Sequence, residues 1–281
     1  MTSPSFSTAF FRWAANLHEE LEFWSYWAES KGAPNPAHHA ERTNPATPVQ
    51  ERVVAYGRSL GKTQLEVLDV GSGPLTKVGH QSPADLQIRV HTCDPLAPAY
   101  LQAFSRHGIP IPNPPSFALA EYLSSFYAPA SIDVITCNNA LDHSFDPIRS
   151  LNEMLRVVRL GGLLICSHKR NEGLNAQYHG LHQFNIDTAD GRPILWNQGE
   201  RISIEAGLEV KTKTSIIEES PEWVHFSITK LEEFSSEELC SEELCSEEFS
   251  GNDGASESRS RRQLQELLLG TVTHFLNQPA P

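Results

Sequence analysis

The sequence predicts an α/β domain built on a doubly wound, mostly parallel sheet. Three observations carry that expectation. Short continuous apolar runs suit strands covered on both faces, and helical segments stand between them. A glycine turn, Gly71-Ser72-Gly73, closes the first run. The 281 residues suffice for one such domain with extensions, and 39% hydrophobic content with 13 Phe, 5 Trp and 6 Tyr implies a packed core.

From the N-terminus, Phe10, Trp13, Leu17, Leu21, Trp24 and Trp27 share one broad stripe, which predicts a helix over 8–30 that stops at Lys31-Gly32. The stripe reads as core packing, with a lid over a cleft as the alternative. Pro34, Pro36, Pro45 and Pro48 make 33–48 an irregular strap, and a helix follows over 49–60. Strand runs are LEVLDV (65–70), IRVHTC (88–93), SFALA (116–120), IDVITC (132–137) and LLICSH (163–168), with helices at 98–107 and 147–158. A helix at 198–206 leads to LEVKTKTS (208–215) and WVHFSIT (223–229), whose short EESPE link is compatible with an antiparallel return. SEELC recurs at 236–240 and 241–245, and SEEFS (246–250) is a degraded copy, so an acidic disordered linker is expected. Helical periodicity returns over 261–276. The expected divisions are a helical cap and strap (1–48), the α/β domain (49–231), the linker (232–258) and an amphipathic helix (259–281).

Acids outnumber bases 35 to 22, but ten acids fall in 232–258, where there is no Lys or Arg before the next segment. The body is therefore near neutral, with no clustered basic face for nucleic acid. No apolar run approaches a membrane span, and no secretory leader is evident, since Arg12, Glu19 and Glu20 interrupt any apolar core. Cys93, Cys137, Cys166, Cys240 and Cys245 lack zinc-ligand spacing, and the first three sit in strand-like runs as expected of reduced thiols in a cytoplasmic protein.

The chemistry-bearing signal is LEVLDVGSGPLTKVG (65–79). Its strand ends in Asp69 and its glycines sit at the carboxyl edge of the sheet, where ligands of open α/β sheets bind. The next strand ends in Asp94, and a carboxylate there suits the two hydroxyls of an adenosine ribose. Thr76 stands where a nicotinamide-type fingerprint needs its third Gly, and no Gly-Lys-Ser/Thr follows for a P-loop.

Over roughly residues 50–230 the chain resembles the class I S-adenosylmethionine-dependent methyltransferases. DVGSGP (69–74) is similar to that family's first motif and Asp94 to its ribose-binding acid. AEYL (120–123), SIDVITCNNALDH (131–143) and LNEMLRVVRLGGLLICS (151–167) follow in order. ELEFW (20–24), NALDH (139–143) and YHGLHQ (178–183) resemble an uncharacterised bacterial-type subgroup. The resemblance implies a Rossmann-like seven-stranded sheet, its last strand antiparallel, with an N-terminal helical extension. It implies S-adenosylmethionine as cofactor and S-adenosylhomocysteine as product. Asp69 and the backbone of Gly71, Ser72 and Gly73 would hold the methionine end and Asp94 the ribose, with Pro74, Pro95 and Leu96 also in the cofactor site. Ala120 and Glu121 would meet the adenine, since Leu119 replaces the usual carboxylate. Asn138, Asn139 and Ala140 would lie beside the transferring methyl.

Base candidates are Asp142, His143, His168 and His182, because histidine titrates near neutrality and accepts a hydroxyl proton. Their spacing matches no recognised ligand set, so no metal is expected. His38, His39 and His274 read as surface. Trp24, Trp27, Tyr178 and Phe184 are candidates to line an acceptor pocket, with Lys169 and Arg170 to bind its carboxylate or phosphate. The expected acceptor is a small polar molecule, with methylation of oxygen favoured over nitrogen, and no nucleic-acid or membrane partner is expected. The acidic tail and last helix are candidates for partner binding or self-association. A cofactor-binding regulatory or scaffolding protein without turnover is the alternative.

Overall fold

In the computed structural model, described for residues 6–235 and 254–276, seven strands form one sheet ordered β3-β2-β1-β4-β5-β10-β9. The strands are β1 (Gln64–Val70), β2 (Gln87–Asp94), β3 (Ser116–Phe117), β4 (Ile132–Asn138), β5 (Val158–Lys169), β9 (Thr212–Glu219) and β10 (Trp223–Lys230). Six run one way and β10 the other, pairing antiparallel with both β5 and β9. Strand order reverses between β1 and β4, so a crevice opens at their carboxyl ends.

The central strands are buried because helices cover both faces. In β4 only the last residue, Asn138, is partly exposed. Helix α4 (Glu51–Ser59) packs Val53 and Val54 on Leu65 and Val67. On the other face, α6 (Pro147–Val157) starts where Asp146 accepts the Arg149 N–H at 3.0 Å and Pro147 occupies the first turn. Its Leu151, Met154 and Leu155 join Leu68, Ile135 and Phe226 in the largest core. Helix α5 (Ala97–Arg106) follows β2 and buries Tyr100 and Phe104.

Four expectations need correction. The N-terminal stripe is two helices, α1 (Phe6–Ala15) and α2 (Leu17–Glu29), because Asn16 leaves helical geometry and turns its side-chain amide to the Arg12 carbonyl. The strap contains α3 (Pro36–Thr43), nucleated by Asn35 capping the His38 N–H with Pro36 in the first turn. SFALA supplies only the two residues of β3.

The expected helix at 198–206 is instead β8 (Arg201–Ser203) and a 3-10 turn, Glu205–Gly207. Strand β8 belongs to a second sheet with β6 (Asn185–Ala189) and β7 (Arg192–Trp196), which the sequence reading did not anticipate. Its signal was Asp190-Gly191: both have positive φ, 51° and 72°, as a two-residue hairpin turn requires. A single turn, α7 (Glu172–Asn175), links β5 to this sheet.

The SEELC copies, Cys240 and Cys245 lie outside the described residues. Helix α8 (Gly254–Leu276) buries Leu268 and Val272 in a cluster with Trp13, Ala14 and Leu17, so its apolar face rests on α1 and α2 of the same chain. Cys93, Cys137 and Cys166 are buried and free.

Candidate active site

Strand β1 delivers Asp69 and Val70 to the crevice, and the chain then turns through Gly71 and Gly73, both at positive φ (65° and 61°). A Cβ on Gly71 would stand 2.5 Å from that of Ala140 across the switch point, and one on Gly73 would stand 3.0 Å from the Trp24 ring of α2. Glycine is therefore demanded twice over, by conformation and by close approach. The turn is fastened to β2. Gly71 and Ser72 donate to the Cys93 carbonyl at 3.0 and 3.1 Å. Asp94 accepts from the N–H groups of Gly73 (3.0 Å) and Leu96 (2.8 Å), so its carboxylate faces the glycine turn.

Three acids are sunk into this wall. Burial raises Asp69, against hydrogen bonds from Thr136 (2.6 Å), Thr76 (2.6 Å) and Asn138 (3.2 Å). Burial pushes Asp94 up to about 7, although its two backbone donors oppose this. Glu121 also reaches about 7 through burial, opposed by N–H donors that include Phe145 and Asp146.

Opposite them lies a cation that sequence reading missed. Arg42 of α3 is 6% exposed, stacks over Trp24 and Trp27 at 5.0 and 5.9 Å, and donates to the Ser72 carbonyl at 3.3 Å. Its Nε is buried with no partner, and burial lowers its pKa to about 10, which still leaves it charged at neutral pH. The Asn35-Pro36 helix start was the signal for it.

A cavity of about 610 Å³ lies between the sheet tips and the helices α2 and α3. Asp69, Gly71, Ser72 and Gly73 line it, as do Asp94, Pro95 and Leu96. So do Ala120, Glu121, Asn138, Asn139 and Ala140. Trp24 and Trp27 form part of its helical wall, with Arg42 and Lys77 among the cationic lining groups. His38, expected on the surface, also faces it, whereas His274 is exposed. Pro74 is buried beside the turn without lining the cavity.

At the other end His143 and His182 reach the same cavity, with Asp142 directly behind. His182 Nδ1 lies 2.8 Å from Asp142 Oδ2 and 3.2 Å from His143 Nε2. His143 Nδ1 faces Glu20 Oε2 at 3.8 Å, and Glu20 Oε1 accepts from the Trp24 indole at 2.8 Å. Burial alone would raise the Asp142 carboxyl, yet His143 and the hydrogen bond from His182 bring it down to about 2. That same bond raises His182 above its ordinary value, against partial burial.

Several candidates stand elsewhere. His168 does not reach the cavity: it is fully buried beside Phe226, neither ring nitrogen has a partner, and burial lowers it to about 4. Arg170 is tied to Asp187 and, at 2.9 Å, to Glu219 in bracing the second sheet. The Tyr178 hydroxyl meets Asn185, and Phe184 packs on the main core. Lys169 lines the cavity but pairs with Glu172 at 3.4 Å.

Residues 68–166 match the family model described as a methyltransferase domain. No curated protein matches the chain. Among solved structures, the chain is similar to an Aquifex aeolicus SAM-dependent methyltransferase at 13% identity and TM-score 0.41, covering 73% of this chain and 98% of that one. It is similar to Haemonchus contortus phosphoethanolamine N-methyltransferase 2 at 13% identity and TM-score 0.42, covering 74% and 59%. A Thermus thermophilus 16S rRNA methyltransferase gives 14% and 0.33, covering 60% and 36%.

Proposed function

We propose that this chain, whose residues 68–166 from β1 to β5 match a methyltransferase domain, is a class I S-adenosylmethionine-dependent methyltransferase that methylates a hydroxyl group of a small polar molecule. The observation that carries this reading is the sharing of one 610 Å³ cavity by the glycine turn, Asp94 and the His143–His182 pair. That volume suits a nucleoside-sized cofactor beside a small acceptor.

S-adenosylmethionine supplies an already activated methyl group, so the protein must add alignment and exclusion of water. The residues fit that cofactor. Asp94 keeps acceptor capacity for the ribose hydroxyls beyond its two backbone donors. The turn's N–H groups are taken, which leaves carbonyls and Asp69 for the methionine ammonium. Its carboxylate belongs to Arg42, whose Nε awaits a partner, with Lys77 nearby. Pro95 and Leu96 flank the ribose, Ala120 and Glu121 the adenine, and Asn138, Asn139 and Ala140 the reacting methyl. Trp24 over Gly73 keeps water from the turn. At the acceptor end, the Asp142–His143–His182 group is where a hydroxyl loses its proton, which favours oxygen over nitrogen as the methylated atom.

The test is a labelled-methyl screen. The protein, labelled S-adenosylmethionine and a metabolite extract should yield a labelled small molecule whose methyl resists mild base, as an ether does. Label confined to RNA or protein would reject the small acceptor, and label on nitrogen would reject the hydroxyl.

A further inference from the structure

Asp142, His143 and His182 each bring one potential ligand atom within 4.8 Å of the other two. His143 Nε2 is 3.2 Å from His182 Nδ1 and 3.6 Å from Asp142 Oδ2, while His182 Nδ1 is 2.8 Å from that oxygen. A zinc-like ion bound at about 2.0–2.1 Å spaces its ligand atoms by about 2.9 Å at right angles and about 3.4 Å in a tetrahedron. The observed triangle brackets those spacings.

Hydrogen bonding alone accounts poorly for the cluster. An imidazole nitrogen carries at most one hydrogen, so a single hydrogen on His182 Nδ1 would have to serve both neighbours. The second oxygen of Asp142 is buried with no partner. The outer nitrogen of His143 faces Glu20, the kind of carboxylate backing that orients metal-bound histidines. The ligands come from two separate loops, which is why linear spacing gave no sign of them.

We propose that Asp142 Oδ2, His143 Nε2 and His182 Nδ1 hold a divalent transition ion of the zinc type, with open positions toward the acceptor end of the cavity. Two imidazoles and one carboxylate suit such an ion better than magnesium or calcium. The ion's role, though not its binding, rests on the methyl-transfer reading. With both imidazole nitrogens bound to it, the ion takes over the deprotonation given above to the imidazoles: it polarises the acceptor's hydroxyl, whose O–H bond breaks with the proton passing to water. The oxygen's electron pair then forms the new C–O bond. The methyl–sulfur bond breaks with its pair left on the sulfur of S-adenosylhomocysteine, and the ion changes no oxidation state.

The full chain, stripped with chelator, is titrated with Co²⁺ alone and followed by visible absorption, then challenged with Zn²⁺. One equivalent of Co²⁺ should bind, be displaced by Zn²⁺, and be lost in His182→Gln and Asp142→Asn; Glu20→Gln should bind about tenfold more weakly. Absent binding, or binding equally weak in wild type and the His143→Gln/His182→Gln double variant, would overturn the site. Should the ligand variants not fold, wild-type stoichiometry together with Glu20→Gln decides. Cofactor calorimetry on the same samples separates the two readings. A protein that binds Co²⁺ but not S-adenosylmethionine keeps the ion site and loses the methyl-transfer reading; the reverse result loses only the ion.

Discussion

At the tips of β1 and β2 the three N–H groups of the glycine turn already have partners, and both oxygens of Asp94 hold backbone donors. At the loops after β4 and β5, by contrast, two histidines and an aspartate crowd together with an oxygen left over. The first end is a finished template whose spare capacity lies in acceptors and one buried arginine. The second keeps one buried carboxylate oxygen without a hydrogen-bond partner. A template can be rigid before its ligand arrives; a reactive end keeps its unsatisfied groups until substrate or ion arrives, at a cost in stability.

The contrast breaks first if the two ends prove interchangeable. His182→Ala should lower kcat about 100-fold or more while the S-adenosylmethionine Kd moves less than about threefold; a collapse of cofactor affinity would erase the division. Arg42→Met keeps apolar contact with the tryptophans but removes the charge. It should weaken cofactor binding about 30-fold, near 2 kcal/mol, without lowering the Tm of the free protein, because a poorly paired buried cation is costly.

Asp94→Asn should cost about tenfold in Kd. Its pH signature sharpens the template's description. Asp94 is raised to about 7 in the folded chain, whereas an unfolded Asp ionises near 3.9. The folded protein therefore holds an extra proton between those values, and this contribution to stability is lost as pH rises through about 7. Denaturant titrations across that window should show a shallower slope in Asp94→Asn. Ribose hydroxyls favour the anion, so cofactor binding near pH 7 should release protons, read by calorimetry in buffers of different ionisation enthalpy. Smallest is Glu121→Gln, which keeps a carbonyl acceptor for Phe145 and Asp146 and should alter Kd less than about twofold.

What sequence could disclose follows the same division. The glycine turn, Asp69 and Asp94 were legible because strand, turn and next strand are local features with strict backbone demands. The β4 and β5 runs were legible from their apolar pattern, and α6 from the helical segment standing between them. Arg42 was not, because prolines masked a short helix whose charge acquires meaning only when α2 and α3 fold over the sheet tips. His143 and His182 were legible as individuals; their convergence, and the exclusion of His168, depend on how two loops cross. The β6–β7 hairpin was missed although Asp190-Gly191 marks it, since the segment after it was read as a helix.

Helix α8 does more than close the far side of the molecule. Leu268 and Val272 lean on Trp13 and Leu17, and those same residues form part of the cavity wall. The last described helix thus helps to fix two wall residues of a chamber that it does not itself enter.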